Sequence, residues 1–474
     1  MNDLLVMKFG GTSLGSAERI RAAAGLAAAG RSRPVVLVVS AMSEVTDLLL
    51  DALRLAEGDD PKLLETSIQA IEQRHVDAAR ELLPARTAPA TLAALDEILT
   101  DFRRIARGML MLGSCPPASV DEAVAAGERL SARMMADFLK ASGVRAEAVN
   151  AREIIVTDAV FGNATPLMEP TRAKARQRLL PLMEDGRLPV VTGFNGATLD
   201  GRPTTLGRGG SDFTASILAA ALDAGELWIW TDVDGIMTAD PRLVPGAAVL
   251  PEITYREAAE LAYSGAKVLH PRTLAPLMER QIPVWSKNSF APQKSGTRIV
   301  PTIPPRHGPC AVTSMANVAL VSIEPASAEI SGPRLMGRAL EALAGANAEL
   351  LALSSSSYRQ NFCFLVRQEE LPRALEALEA SLSLELAHHY VEPLQVDGNV
   401  GLLAVVGEGM RGTPGLAGRI FTAISRENVN IIAIAQGSSE LTIAIIVHRD
   451  GLEKAVRAVH EECGLGEINT GPRP

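Results

Sequence analysis

Lys8-Phe9-Gly10-Gly11-Thr12-Ser13 follows the apolar run Leu4-Leu5-Val6-Met7 and precedes the polar lead Ser16-Ala17-Glu18. The apolar run predicts a buried strand. The two glycines let the backbone turn tightly and approach a ligand, because neither carries a Cβ. Two hydroxyls follow, and then a helix start. A strand, a glycine turn and a helix N-terminus together present backbone N–H groups and a dipole that favour an anion. Lys8 adds a full positive charge at the strand's end. The lysine precedes the glycines, and no Gly-x-x-x-x-Gly-Lys-Ser/Thr occurs in the chain, so this is not a Walker A loop. Taken alone, the hexapeptide fits a phosphate site and fits an ordinary turn with a surface lysine equally well.

Outward from it, strand and helix alternate: a strand over 4–9, a helix over 17–29, the strand Pro34 to Val39 and a helix from Val45. Continuous apolar strands separated by helices indicate an α/β fold, an open, mostly parallel sheet with helices on both faces. Ser40-Ala41-Met42-Ser43 lies at the C-terminal end of the second strand, where ligands bind in such sheets. Residues 61–112 carry leucines at helical spacing and read as an inserted helical hairpin. Ser119-Val120-Asp121-Glu122 has the form of a capping box and predicts a long helix to about residue 141. Gly127-Glu128 lies inside it. A glycine there costs ~1 kcal/mol relative to alanine, which points to close packing or a ligand, or to a tolerated glycine beside a solvated glutamate.

The alternation resumes with a strand over 144–149, a helix over 170–184 and a strand over 188–193. Thr204-Thr205-Leu206-Gly207-Arg208-Gly209-Gly210-Ser211-Asp212 then forms a second glycine-rich turn, opening a helix from Phe213 to Leu222. Ser211 or Asp212 would serve as an N-cap, but three glycines and an arginine exceed what a cap needs. An arginine can grip a carboxylate or phosphate through two parallel hydrogen bonds. The strand Leu227 to Trp230 leads into the polar loop Thr231 to Arg242, rich in carboxylates. Thr254 to Glu257 is another capping box, and Gly265 to Pro271 ends one helix and begins the next, with His270 as a structural or capping residue. A strand over 282–285 closes this domain near residue 300.

The chain has 474 residues, 46 basic and 55 acidic, for a net charge of −9, which argues against a general nucleic-acid binder. Cys115, Cys310, Cys363 and Cys463 are far apart and match no metal or redox spacing, which suggests a reducing compartment. No basic leader precedes the first strand, and no apolar run approaches the ~20 residues needed to span a bilayer. A cytoplasmic protein with no membrane partner is expected.

Pro301 to Pro309 contains four prolines and reads as a linker, taken as 301–313. Beyond it Gly337-Arg338 to Asn347 matches Gly418-Arg419 to Asn428 at an offset of 81 residues. Each copy, 314–390 and 391–474, reads as βαββα(β), the ferredoxin-like pattern. Neither holds a nucleophile–base pair or a metal spacing, so both read as regulatory. Gly407-Glu408-Gly409-Met410-Arg411-Gly412 matches Gly-x-Gly-x-x-Gly literally. A dinucleotide fold would want an acid at the end of the next strand, where Gln436 stands.

The joint occurrence of Lys8 to Ser13, Gly127-Glu128, Gly207 to Asp212, Trp230 to Gly235 and Gly265 to Pro271 resembles the aspartate kinases across the whole chain. The second repeat resembles the kinase half of aspartokinase–homoserine dehydrogenase. The sequence given carries no dehydrogenase segment, so kinase activity alone is expected. The resemblance implies an amino-acid-kinase domain over 1–300 and two ACT domains. It implies phosphoryl transfer from ATP to L-aspartate, giving 4-phospho-L-aspartate, the entry step to lysine, threonine and methionine. Lys8 and Asp212 would be catalytic. Lys8, Gly10, Gly11, Ser13, Thr231, Asp232, Met237, Arg242, Lys267 and Val268 would bind ATP, with Mg²⁺ on its phosphates and no protein metal ligand assigned. Ser40, Thr46, Glu128, Arg208, Ser211 and Asp212 would bind aspartate, Arg208 at the α-carboxylate and Glu128 at the ammonium. The family often has a tyrosine where Met237 stands. Gln436 and Ser439, with Ser355 in the first copy, would meet an amino-acid effector. Ser355, Tyr358 and Arg359 stand where the second copy has Gln436, Ser439 and Glu440, so an altered response to threonine or lysine is expected. ACT domains pair edge to edge, which implies a homodimer or larger assembly. The alternatives are a kinase for another small carboxylate or carbamate, a sensor with an inactive kinase domain, and an NAD enzyme using Gly407 to Gly412. Arg208 with Glu128 favours an amino acid, and the intact Lys8, Arg208, Asp212 and Lys267 favour an active kinase.

Overall fold

The computed structural model describes residues 3–58, 60–266, 269–326, 331–357 and 360–466. In chain order it opens with β1 (Leu5–Phe9), α1 (Ala17–Ala29), β2 (Val35–Val39) and α2 (Val45–Glu57). Four helices follow: α3 (Pro61–Leu82), α4 (Ala88–Leu112), α5 (Pro117–Val124) and α6 (Ala126–Ala141). Next come β3 (Ala146–Val149), β4 (Val156–Thr157), α7 (Met168–Glu184), β5 (Leu188–Thr192), β6 (Asn195–Thr198) and β7 (Pro203–Thr205). Then come α8 (Gly210–Ala221), β8 (Glu226–Thr231), β9 (Glu252–Thr254), α9 (Tyr255–Tyr263), α10 (Pro271–Arg280), β10 (Val284–Asn288) and β11 (Thr297–Val300). The described residues fall into two compact units, one drawn from 1–236, 251–255 and 269–303, the other from 237–250, 256–268 and 304–474. The sequence assigns 237–250 and 256–268 to the N-terminal domain, yet both segments group with the C-terminal unit.

The first unit is built on an eight-stranded sheet in the order β3-β5-β2-β1-β8-β10-β11-β9. All pairings are parallel except β10 with β11. β1 lies centrally and all five of its residues are buried. That burial is why it reads as an apolar run, interrupted only by Lys8 next to its end. The insertion α3–α4 is a helical hairpin whose Leu64, Ile68, Ile71, Leu95, Leu99 and Phe102 join one core with β1 and β2. Its start is fixed locally: Asp60 accepts N–H bonds from Lys62 and Leu63, and Pro61 opens α3. At the start of α10, His270 Nδ1 accepts the Arg272 N–H, a capping role.

The capping box expected at Ser119 to Glu122 does not form. Pro117 opens α5 instead, and the helix breaks at Ala125 before α6 starts. Asp121 sits inside α5, 3 % exposed, because its carboxylate is engaged elsewhere. Nor do Ser211 or Asp212 cap α8. Gly209, at φ 69°, takes that place, which leaves both side chains free for the cleft.

The second unit contains the repeat. Its first copy is β12 (Ala311–Ile323), α11 (Gly332–Gly345), β13 (Ala352–Ser355), β14 (Phe362–Arg367), α12 (Leu371–Ser381) and α13 (Ser383–Ala387). Its second is β15 (Gln395–Val406), α14 (Leu416–Arg426), β16 (Ile431–Gln436), β17 (Thr442–His448) and α15 (Arg449–Glu462). Both are βαββα. Asn347 and Asn428, matched by the repeat, both end their helix in the left-handed region, at φ 51° and 56°. β12 and β15 pair antiparallel and join the copies into one sheet, β13-β14-β12-β15-β17-β16. The linker expected over 301–313 is therefore shorter, because Ala311–Thr313 already pair with Ala404–Val406. The helix-free faces of the two copies share a core of Val318, Leu320, Leu365, Leu402 and Ile446.

Segment 237–250 packs into the core of the second copy, where Ala239 and Val244 join Leu403, Ile445, Leu452 and Val456. Thr238 Oγ1 lies 3.0 Å from His460 Nε2, and Arg457 Nε donates to the Leu243 carbonyl. The Gly407 to Gly412 motif has a packing role. A Cβ on Gly409 would lie 2.5 Å from the Arg306 and Gly308 carbonyl oxygens, and one on Gly407 2.7 Å from the Pro309 backbone. These glycines let the chain before β12 lie against the end of β15.

Candidate functional site

The C-terminal ends of β1, β2 and β8 point the same way, so the loops that follow them gather at one edge of the sheet. There a cleft of about 690 Å³ is lined by Lys8, Gly11, Ser40, Thr46, Glu128, Arg208, Ser211 and Asp212, together with Asp121, Phe194 and Thr205. Residues separated by some 200 positions in sequence thus share one cavity.

Lys8 projects from the end of β1 and is 8 % exposed. Its Nζ lies 2.5 Å from Asp212 Oδ1, in the first turn of α8. The pair puts a cation beside a helix start, and the carboxylate both holds the ammonium in place and, in the first turn, complements the helix dipole. The Gly10 N–H donates to the Trp230 carbonyl, and the Ser43 hydroxyl donates to the Gly11 carbonyl, so the glycine turn is fixed on two sides.

Glu128 enters the cleft from α6. A Cβ on Gly127 would lie 2.8 Å from Ala41 Cβ, so only glycine lets α6 approach the loop after β2 this closely. Glu128 Oε1 accepts the Ala41 N–H at 3.2 Å, whereas Oε2 is buried with no hydrogen-bond partner among the described residues. Burial is the main cause that pushes its pKa up from 4.5 to about 8, while the Ala41 N–H and the nearby Lys8 charge pull the other way. A buried carboxyl with one orphaned oxygen on a cleft wall suits a cationic group arriving from the cleft.

Arg208 is carried on the turn Gly207–Gly209 and is exposed to the cleft. Ser13 Oγ is 2.7 Å from Ser289 Oγ, and Ser289 in turn bonds the Thr231 carbonyl through its N–H and hydroxyl. The loops after β1, β8 and β10 are thereby laced together, with Thr231 and Asp232 in contact through their side chains. Sequence reading missed Ser289 and Asp121. The former lies directly after a strand end, the latter was read as part of a cap.

In the second unit Met237 bridges to Val249, and Arg242 is exposed and paired with Asp240 at 2.6 Å. Lys267 and Val268 lie outside the described residues, as do Tyr358 and Arg359. Gln436 lines a separate pocket of about 320 Å³ with Met410, Thr413, Pro414, Leu416 and Glu440. Glu440 accepts the Gly412 N–H, which fixes the pocket's rim. The Leu441 N–H donates to Ser439 Oγ at 3.5 Å, beside that pocket, and Ser355 ends β13 in an exposed position. No helix among the described residues is long and apolar enough to cross a membrane.

A cation, an orphaned carboxyl and a guanidinium around one cleft suit a zwitterion that carries a further anionic group. Residues 3–288 match the amino acid kinase family model. Aspartokinase 3, chloroplastic, of Arabidopsis thaliana is 32% identical over 478 residues, covering 96% of this chain and 80% of that protein. The chain belongs to the amino acid kinase family, among its aspartokinases. Residues 403–463 match an ACT domain model. The bifunctional aspartokinase/homoserine dehydrogenase 1, chloroplastic, of the same plant is 34% identical over 463 residues. The chain spans about half the length of the bifunctional relatives it matches. Among solved structures, E. coli aspartokinase III in complex with aspartate and ADP aligns with a TM-score of 0.83 at 29% identity, covering 97% of this chain and 99% of that one. The same E. coli enzyme in complex with lysine and aspartate gives a TM-score of 0.80. These aspartokinase likenesses extend through both units of the chain.

Proposed function

We propose that the protein is an aspartate kinase, transferring the γ-phosphoryl group of ATP to the β-carboxylate of L-aspartate to give ADP and 4-phospho-L-aspartate, the first step towards lysine, threonine and methionine. The observation that carries this is the cleft that joins the Lys8–Asp212 pair to Glu128 and Arg208. The E. coli enzyme whose fold the chain shares was solved with aspartate and ADP, which supports the same substrates here.

The acceptor carboxylate is already ionised at neutral pH, so the reaction needs no general base. What remains for the protein is in-line positioning and stabilisation of the charge on the transferring group. Lys8, with the Gly11 N–H, meets that charge, while the Gly10 N–H is engaged by the Trp230 carbonyl and fixes the turn. Asp212 and Ser211 orient Lys8 and the substrate. Arg208 takes the α-carboxylate and Glu128 the ammonium, while Ser40 and Thr46 supply hydroxyls. Ser13, Thr231, Asp232, Met237, Arg242, Lys267 and Val268 bind the nucleotide.

Among the described residues no group of three or more His, Cys, Asp or Glu side chains is placed to hold a metal. Mg²⁺ would be held mainly by the nucleotide's phosphates, the usual arrangement for this ion, and would offset phosphate charge there. The ACT pocket around Gln436 is read as an effector site for an amino acid, with Ser439 at its margin and Ser355 as the divergent counterpart. The assembly is a homodimer or larger, and the four cysteines, none in a disulfide, fit a reducing, cytoplasmic setting.

The test uses purified full chain with ATP, magnesium and single amino acids, trapping acyl phosphate with hydroxylamine. Hydroxamate from aspartate alone supports the reading, and no turnover with aspartate refutes it. Light scattering of the same sample reads the assembly, and a monomer would refute that part.

A further inference from the structure

Asp121 lies on α5, buried, with both carboxylate oxygens in use. Oδ1 accepts the Thr205 hydroxyl at 2.8 Å, and Oδ2 accepts the N–H groups of Thr205 and Gly162, each at 2.9 Å. Thr205 ends β7 and stands three residues before Arg208. The Gly162–Asn163 turn packs against the same loop from outside. A Cβ on Gly207, at φ 74°, would lie 2.7 Å from Asn163 Oδ1 and 3.1 Å from the Gly162 carbonyl oxygen. The Ala164 N–H donates to the Thr205 carbonyl, which closes the bracket. A single carboxylate therefore holds both the strand end that leads to Arg208 and the turn against which Gly207 rests. Gly207 and Gly209 are both in the left-handed region, so the turn bearing Arg208 has little steric memory of its own and takes its position from these anchors.

We propose that Asp121 is a positioning residue for the acceptor substrate: through Thr205 and Gly162 it sets the backbone from which Arg208 reaches the α-carboxylate. This rests on the aspartate-kinase reading above. Asp121 touches no reacting atom in this account. Its influence falls on how well one substrate is held, and a displacement of about 1 Å at a positioning group can cost ~100-fold. The Gly10 turn and Ser13 draw on different anchors, the Trp230 carbonyl and Ser289, and Asp212, which holds Lys8, is fixed within α8 beyond the Gly207–Gly209 turn. The effect is therefore selective for the amino acid.

The experiment measures KM for aspartate and for ATP, with kcat, on the full chain carrying Asp121→Asn, Thr205→Val or Thr205→Ser. Asp121→Asn keeps the volume but places an amide where two N–H groups and a hydroxyl donate. We expect KM for aspartate to rise at least tenfold while KM for ATP stays within twofold. Thr205→Val, which deletes only the hydroxyl, is expected to raise KM for aspartate about threefold, and Thr205→Ser to restore it. Unchanged KM for aspartate, or a parallel rise in both KM values, overturns the proposal. If Asp121→Asn loses its cooperative thermal transition, Thr205→Val decides by the same criterion. Arg208→Ala separates the two levels. A normal KM for aspartate in Arg208→Ala refutes the underlying assignment, whereas a raised one with unperturbed Asp121 and Thr205 variants overturns this inference alone.

Discussion

Glu128 is where the structure makes its most quantitative demand. Burial pushes its carboxyl up to about 8 from 4.5, and its Oε2 has no hydrogen-bond partner among the described residues. At pH 7 such a group is about one-tenth ionised, and at pH 6 about one-hundredth. In the role proposed for Glu128, the ammonium of aspartate needs the ionised form, so wild-type kcat/KM for aspartate should rise about tenfold per pH unit between 6 and 7 and level off above 8. Binding should also release a proton near neutral pH. Glu128→Gln removes the titration and the charge. A hydrogen bond to a charged group contributes about 1.5–3 kcal/mol, so the variant should lose ~10–150-fold in kcat/KM for aspartate at pH 8.5. The gap should close towards pH 6, where the wild-type carboxyl is itself protonated. Stability moves the opposite way. The folded pKa lies above the unfolded one, so the contribution of Glu128 to stability is fully present below about 4.5 and is lost as pH rises through about 8. Glu128→Gln should accordingly gain Tm relative to wild type as pH goes from 5 to 9. Initial rates at subsaturating aspartate across pH 6–9, with thermal melts on the same samples, check both. A flat wild-type profile, or a constant ratio to Glu128→Gln, would refute the reasoning.

Lys8→Ala should lower kcat far more than it raises KM for ATP, by ~100-fold or more, because the charge matters most once the phosphoryl group is in flight; steady-state kinetics with both substrates varied will show the split. Gly127→Ala should cost about 1–3 kcal/mol in urea unfolding, since the new Cβ meets Ala41 Cβ at 2.8 Å and Leu49 and Val45 at 3.3 Å. Gln436→Ala should abolish any response of the kinase to lysine, threonine or methionine, and that response in wild type should follow a one-site curve, because Ser355 is exposed at the end of β13 while Gln436 lines a pocket. Two-site inhibition by threonine would contradict it.

The parallel sheet and the walls of the cleft were legible because they are local signals. β2 reads as an unbroken apolar run and β1 as one broken only by Lys8, and the glycine turns at Gly10 and Gly207 announce themselves by composition. The repeat was legible down to Asn347 and Asn428, since a left-handed helix end constrains residue type. Asp121 was misread because a cap motif and a buried carboxylate look alike until the partners at Gly162 and Thr205 are known. Ser289 was missed because its role depends on Ser13, 276 residues away. The linker was drawn too long because prolines mark its start, while only pairing with Ala404–Val406 marks its end.

Segment 237–250 has a consequence for synthesis. Thr238 meets His460 across 222 residues of chain. At ~5–20 residues per second, a ribosome needs roughly 10–45 s to make the intervening stretch. During that time Ala239 and Val244 have no core to enter, because β17 and α15 do not yet exist. The nascent chain must therefore carry an unfinished loop in its middle, held open or shielded, until α15 emerges. A shortened gene cut at the prolines would leave that loop permanently in the waiting state.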